Sequence, residues 1–185
     1  MFCFWDNFLR WRRVQKVSKY LPLNSIVCDI GCGKEAYFLK KFSPLIKKGI
    51  GLDEEIEDYN DPNLEFKKFK TTDSLPLENE SCEVITMMAV IEHLSYPQEI
   101  LKECFRCLKQ GGKIIITTPT PISKPILEFS AFKLNLIDKK EISDHKNYFW
   151  PERLKLMLVS AGFKEENIKS RFFELLLNSL TIAKK

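Results

Sequence analysis

Asp29-Ile-Gly31-Cys-Gly33-Lys-Glu35-Ala36 stands between a short apolar run and a stretch of helical spacing, and its reading decides the fold. Before it, Ser25-Ile-Val-Cys-Asp-Ile30 follows Pro22 and Asn24 as a strand of the buried type. After it, the residues from Ala36 to Phe42 repeat apolar side chains at helical spacing. Glycines at such a strand-to-helix turn let the backbone bend tightly and approach a ligand, while the helix start offers free N–H groups and the positive end of a dipole. A nucleotide-type cofactor is therefore expected here, at the carboxyl ends of parallel strands.

Working outward, Gly49-Ile-Gly-Leu52 reads as a second strand ending at Asp53, which completes a β-α-β unit. Leu64 to Phe69 alternates as a third strand, and Cys82 to Met88 is an apolar fourth. Helical spacing from Pro97 to Leu108 is broken by Gly111-Gly112, and Lys113 to Thr118 is a β-branched fifth strand closed by Pro119 and Pro121. Pro151 opens a helix that stops at Ala161-Gly162, and two β-like runs follow around Ile168 and Leu176. This alternation predicts an α/β fold with a mainly parallel sheet. Residues 119–148 form a long connection with apolar residues of its own, either a lid or substrate-facing insertion or an amphipathic helix on the sheet edge.

A chain of 185 residues, 44% hydrophobic and 29% charged, suits one globular domain over residues 1–185, with an N-terminal helix within residues 1–24. The net charge of +4 comes from 29 basic and 25 acidic residues interspersed along the chain, which argues against a nucleic-acid partner. The densest basic stretch, Arg10, Arg12, Arg13 and Lys16, follows Phe2, Phe4, Trp5, Phe8 and Trp11. The preferred reading is a terminal helix that packs these aromatics on the domain; peripheral membrane contact is the other. Asp6 and Arg10 interrupt the apolar start, and no apolar run approaches the ~18 residues of a transmembrane segment, so a cytoplasmic location is expected. The six cysteines then read as reduced structural thiols, and Cys104-x-x-Cys107 lacks the second pair a metal site wants, so no metal is expected.

Taken alone, the glycine pattern also fits a nicotinamide dinucleotide site, with Asp53 at about the ~20-residue interval such sites use. The ordered string of motifs shifts the balance. Val27-Cys-Asp-Ile-Gly-Cys-Gly33, Gly49-Ile-Gly-Leu-Asp53, Thr72-Asp-Ser-Leu-Pro-Leu77, Ser81 to Leu94, Leu108-Lys-Gln-Gly-Gly-Lys-Ile-Ile-Ile116, and Asp144 to Phe149 with Ala161-Gly-Phe163 succeed one another across most of the chain. In that order they resemble the class I S-adenosylmethionine-dependent methyltransferase family, and in particular its small stand-alone members acting on small molecules.

The resemblance implies a Rossmann-like fold: a mainly parallel seven-stranded sheet with an antiparallel C-terminal strand and helices on both faces. It implies S-adenosylmethionine as cofactor, with Asp29, Gly31 and Gly33 at the methionine end and Asp53 on the ribose hydroxyls. Asp73, with Ser74 beside it, would meet the adenine amino group, and Met88 and His93 would line the pocket. The implied reaction is methyl transfer to an O or N atom of a small-molecule acceptor. The sulfonium methyl is already electrophilic, so the enzyme has mainly to align the acceptor and exclude water. If the acceptor must lose a proton, His145 is the candidate base and Asp144 the alternative.

Two departures stand out. Glu35 occupies a position where the family's loop has a small residue, and Cys82-Glu83 replaces an aromatic-aspartate pair. Glu35 keeps open a catalytically inactive binding module. A nicotinamide-dependent oxidoreductase lacks a tyrosine–lysine pair and a substrate domain here. A nucleic-acid methyltransferase lacks an N/D-P-P-Y loop, Met88-Ala-Val-Ile91 standing in its place.

Overall fold

The computed structural model describes residues 4–70, 74–125 and 147–185, with side chains in the first helix described from Phe8 onward. Its strands are β1 (Ile26–Ile30), β2 (Lys48–Asp53), β3 (Tyr59–Asp61), β4 (Leu64–Lys68), β5 (Cys82–Met88), β6 (Leu108–Pro119), β7 (Ile168–Phe173) and β8 (Asn178–Lys184). The helices are α1 (Phe4–Ser18), α2 (Tyr37–Phe42), α3 (Pro97–Cys107) and α4 (Pro151–Ser160).

All the strands join one sheet in the order β3-β4-β2-β1-β5-β6-β8-β7. Neighbours from β4 to β6 run parallel, while β8 is antiparallel to both β6 and β7. Parallel strands are covered on both faces, which is why β1 and β5 read as continuous apolar runs. On one face Cys28, Ile30, Ile85 and Ile114 pack with Leu101 and Cys104 of α3 and Leu154 and Leu158 of α4. On the other, Val27, Val84 and Ile115 pack with Val14 and Val17 of α1 and Phe38 and Leu39 of α2. From β1 the chain moves outward to β2 and β4, then returns to the far side of β1 with β5. The switch point thus lies at the carboxyl ends of β1 and β5, where such sheets bind ligands.

Four sequence expectations change. Among the described residues the sheet has eight strands, not seven, because β3 adds an antiparallel edge to β4. Its Asn60 and Asp61, with Pro62 just after, look like loop, and the ladder of Tyr59, Asn60 and Asp61 against Phe66, Glu65 and Leu64 is supported by Tyr59 stacked on Phe66 with ring centroids 4.4 Å apart. Gly111 and Gly112 lie inside β6, where the register slips between the Cys82–Leu108 and Val84–Lys113 pairs. A Cβ at Gly112 would sit 2.9 Å from the Lys109 carbonyl oxygen, so glycine is needed there. The final strand begins at Asn178; Leu176 instead belongs to a turn in which Glu174, Leu175 and Leu176 all have positive φ. Finally, α1 packs through its valines, whereas Phe8 and Trp11 stay 39% and 44% exposed.

The five described cysteines are free and buried, and burial pushes the Cys107 thiol up to about 11, as suits an inert structural thiol. Glu83 is accommodated at the sheet start: its Oε2 accepts the Ile26 N–H at 2.7 Å, tying β5 to β1. Among the described residues, no helix is long and apolar enough to cross a membrane.

Candidate functional site

The loop after β1 is held by the end of β2. The Gly31 N–H donates to the Leu52 carbonyl at 2.8 Å and the Cys32 N–H to the same oxygen at 3.3 Å. The Gly33 N–H donates to Asp53 Oδ2 at 2.8 Å, and the Glu55 N–H donates to Oδ1 at 2.9 Å. Gly31 and Gly33 have φ values of 70° and 71°, a region that costs a side-chain-bearing residue about 1–2 kcal/mol. At Gly31 a Cβ would also run into Val90, while at Gly33 it would meet nothing within 4 Å. One glycine thus seats the loop against β5's exit, and the other faces open space.

Two cavities flank this loop and share Gly31, Gly33 and Ala89. The smaller, about 200 Å³, lies between Asp29, Met88, Tyr37 and the α1 residues Arg10, Arg13 and Val14. The larger, about 450 Å³, is bounded by Leu52, Asp53, Phe69, Lys70, Val90, His93 and Leu94. Each has an aspartate predicted from the sequence: Asp29 in one, Asp53 in the other.

Asp29 is 1% exposed on β1, directly beside Thr86 of β5, whose hydroxyl donates to Oδ1 at 2.5 Å. Burial, aided by the nearby Asp53 charge and opposed by the Thr86 hydrogen bond, raises the Asp29 carboxyl to about 7. Both oxygens of Asp53 already accept backbone N–H groups, but a carboxylate has about four lone-pair sites and so retains acceptor capacity.

Of the residues singled out in the sequence, Asp29, Gly31, Gly33, Asp53, Met88 and His93 come together around these cavities. Ser74 does not: it is exposed, lines neither cavity, and hydrogen-bonds Glu103 of α3. The segment after it is held against α3, since the Leu75 N–H donates to Glu103 at 2.9 Å and Arg106 donates to the Leu75 and Leu77 carbonyls. Asp73, Asp144 and His145 lie outside the described residues. Glu35 is turned away from the loop, 57% exposed and paired with Arg10 at 3.0 Å. Sequence reasoning missed Arg10, Arg13 and Thr86 as site residues; no local signal marks them, because they reach the loop only through tertiary packing.

Solved structures share this fold. A chain of the complex between the Haloferax volcanii Trm112 methyltransferase activator and a methyltransferase superposes with a TM-score of 0.70 at 16% identity, covering 100% of this chain and 98% of its own. A SAM dependent methyltransferase from Archaeoglobus fulgidus gives 0.69 at 21% identity, covering 95% and 94%. At these identities the likeness carries the fold, a Rossmann-like sheet as expected.

Curated relatives extend the comparison. A Mycolicibacterium smegmatis protein named "Probable S-adenosylmethionine-dependent methyltransferase" is 28% identical over 152 residues, 76% of this chain and 52% of its own length. A tRNA U34 carboxymethyltransferase of Helicobacter pylori is 26% identical over 181 residues, 90% of this chain and 66% of its own. The chain thus spans about half to two thirds of the length of these two relatives.

The second relative corrects the partner expectation. A small-molecule acceptor and the exclusion of nucleic acid no longer stand beside a tRNA-directed relative that matches nearly the whole chain. Spacing along the sequence does not tell where charge gathers, since sheet pairing sets Lys113 directly across from Lys184. A family model described as a methyltransferase domain matches residues 3–167: the chain belongs to that enzyme family, whose fold and membership imply S-adenosylmethionine as cofactor.

Proposed function

We propose that this chain transfers a methyl group from S-adenosylmethionine to a nucleotide of an RNA acceptor, tRNA being the class its relatives point to. The observation that carries the cofactor half is the pair of cavities meeting at Gly31 and Gly33, with Asp29 in one and Asp53, beside Glu54 and Glu55, in the other. The residues present fit the cofactor. Asp29 is placed to accept from the ammonium of the methionine portion, Arg10 and Arg13 to pair with its carboxylate, and Asp53 to accept from the ribose hydroxyls. Phe69, Val90 and Leu94 offer apolar surface to the adenine ring. When bound, the cofactor supplies an electrophilic methyl group, and the chain's task is to align the acceptor atom and keep water out. With Glu35 drawn off by Arg10, its carboxylate does not crowd the loop.

The RNA half is supported by the relatives named for tRNA U34. Residues 119–148 remain the substrate-facing cover of this proposal, and His145 its base. Replacing His145 by glutamine is expected to lower turnover about 100-fold or more without weakening cofactor binding; unchanged single-turnover rates would remove it from the mechanism.

Calorimetric titration tests the cofactor half. Wild-type protein is expected to bind S-adenosylmethionine and S-adenosylhomocysteine but not NADH, and Asp53→Ala to bind about 10- to 100-fold more weakly, the range for losing hydrogen bonds to a charged acceptor. NADH binding in place of the adenosyl ligands would return the nicotinamide reading. Transfer of labelled methyl from the cofactor to bulk tRNA tests the acceptor half.

A further inference from the structure

Lys113 opens the regular part of β6 directly across from Lys184 of β8. On β7, Lys169 and Arg171 pair with Ile182 and Leu180, which alternate with Lys184 along β8, so all four cations share one sheet face. With Tyr20 and Glu166 they line a groove of about 320 Å³ beside the end of α1. One carboxylate therefore stands against four cations. Several basic side chains elsewhere are matched, as Lys48 and Lys67 share Glu65 and Arg106 holds Glu103. In the groove none of the four makes an ion pair among the described residues. Like charges directly opposite in a ladder repel. The crowding is felt at Lys113, whose ammonium is pushed below its ordinary value first by burial and then by Lys184.

We propose that this groove across β6, β8 and β7 docks the phosphate backbone of the RNA acceptor, with Lys113, Lys169, Arg171 and Lys184 contacting its phosphates. The inference rests on the RNA reading above and adds the surface that holds the RNA body. Phosphates would supply the missing counter-charge, and binding would release condensed counterions, which makes the affinity salt-dependent. Backbone contacts of this kind position the RNA without reading its sequence.

The test is filter binding of bulk tRNA to the full chain across a salt series, with wild type, the Lys169→Ala/Arg171→Ala double variant, and Lys184→Gln as an independent change in the same groove. The double variant is expected to bind at least about tenfold more weakly near physiological salt and to lower the log-affinity against log-salt slope by about 2. Lys184→Gln is expected to lower the slope by about 1. Thermal unfolding and S-adenosylmethionine titration should match wild type. Identical tRNA affinity and slope in all three proteins would overturn the groove; its charges would then serve only to keep the exposed edge strand from pairing with other chains. Methyl transfer to tRNA with no dependence on the groove sinks the groove alone. Groove-dependent tRNA binding without methyl transfer sinks the acceptor reading alone, and absence of both binding and transfer overturns the two together.

Discussion

Replacing Asp29 with asparagine is expected to give a protein that is more stable than wild type above pH 7 and that binds S-adenosylmethionine about 100-fold more weakly. The carboxyl titrates at about 7 in the fold and near 3.9 in an unfolded chain. Between those values the native state keeps a proton that the unfolded state has released. Stability therefore falls as pH rises through this window, by a total on the order of 4 kcal/mol, and stays at the lower level above it. Asparagine carries no charge, so its variant lacks this loss, and its side-chain oxygen can still accept the Thr86 hydroxyl. Urea unfolding near pH 5 and pH 8 reads the difference. Wild type and variant losing stability in parallel would show that Asp29 is not held neutral. Cofactor binding gives a second readout: if the ammonium meets the ionised carboxylate, wild-type affinity drops about tenfold per pH unit below 7, and the variant's affinity does not follow.

Gly31→Ala is expected to abolish measurable cofactor binding and to lower the melting temperature. Its φ of 70° alone costs about 1–2 kcal/mol with a side chain, and the new methyl group runs into Val90. The loop then has to shift off the Leu52 carbonyl, which carries Gly33 and its bond to Asp53 with it. Adding Val90→Ala makes room, so the double variant should regain part of the stability, while the backbone strain persists. Binding by Gly31→Ala at wild-type strength would mean that the cofactor does not approach this loop.

How much of this was legible in the sequence follows the range of each interaction. The segment from Ile26 to Asp53 was readable because strand, glycine turn, helix and second strand succeed one another locally, and the acidic residue falls where the second strand must end. Thr86 was not, since a threonine in an apolar strand looks like any β-former until pairing sets it beside Asp29. Arg10 and Arg13 were read only as part of the basic stretch of a terminal helix, because nothing local tells where that helix docks. Ser74 was placed by motif alone, and the grip of Glu103 and Arg106 on its segment comes from a helix far along the chain. Likewise β3 escaped because two of its three residues, Asn60 and Asp61, are turn-formers, and its aromatic stack on Phe66 forms only once β4 is beside it.

The two halves of the cradle close over different spans of chain. The N–H groups of Gly31 and Cys32 donate to the Leu52 carbonyl and that of Gly33 to the Asp53 carboxylate, a loop of 20 residues at the Gly33–Asp53 bond, whose closure costs little chain entropy. The Thr86 hydroxyl that settles Asp29 comes from 57 residues away, and β5 must insert beside β1 before that carboxyl is buried. A chain emerging residue by residue can thus shape the loop early, while its titrating carboxyl remains an ordinary acid until β5 arrives.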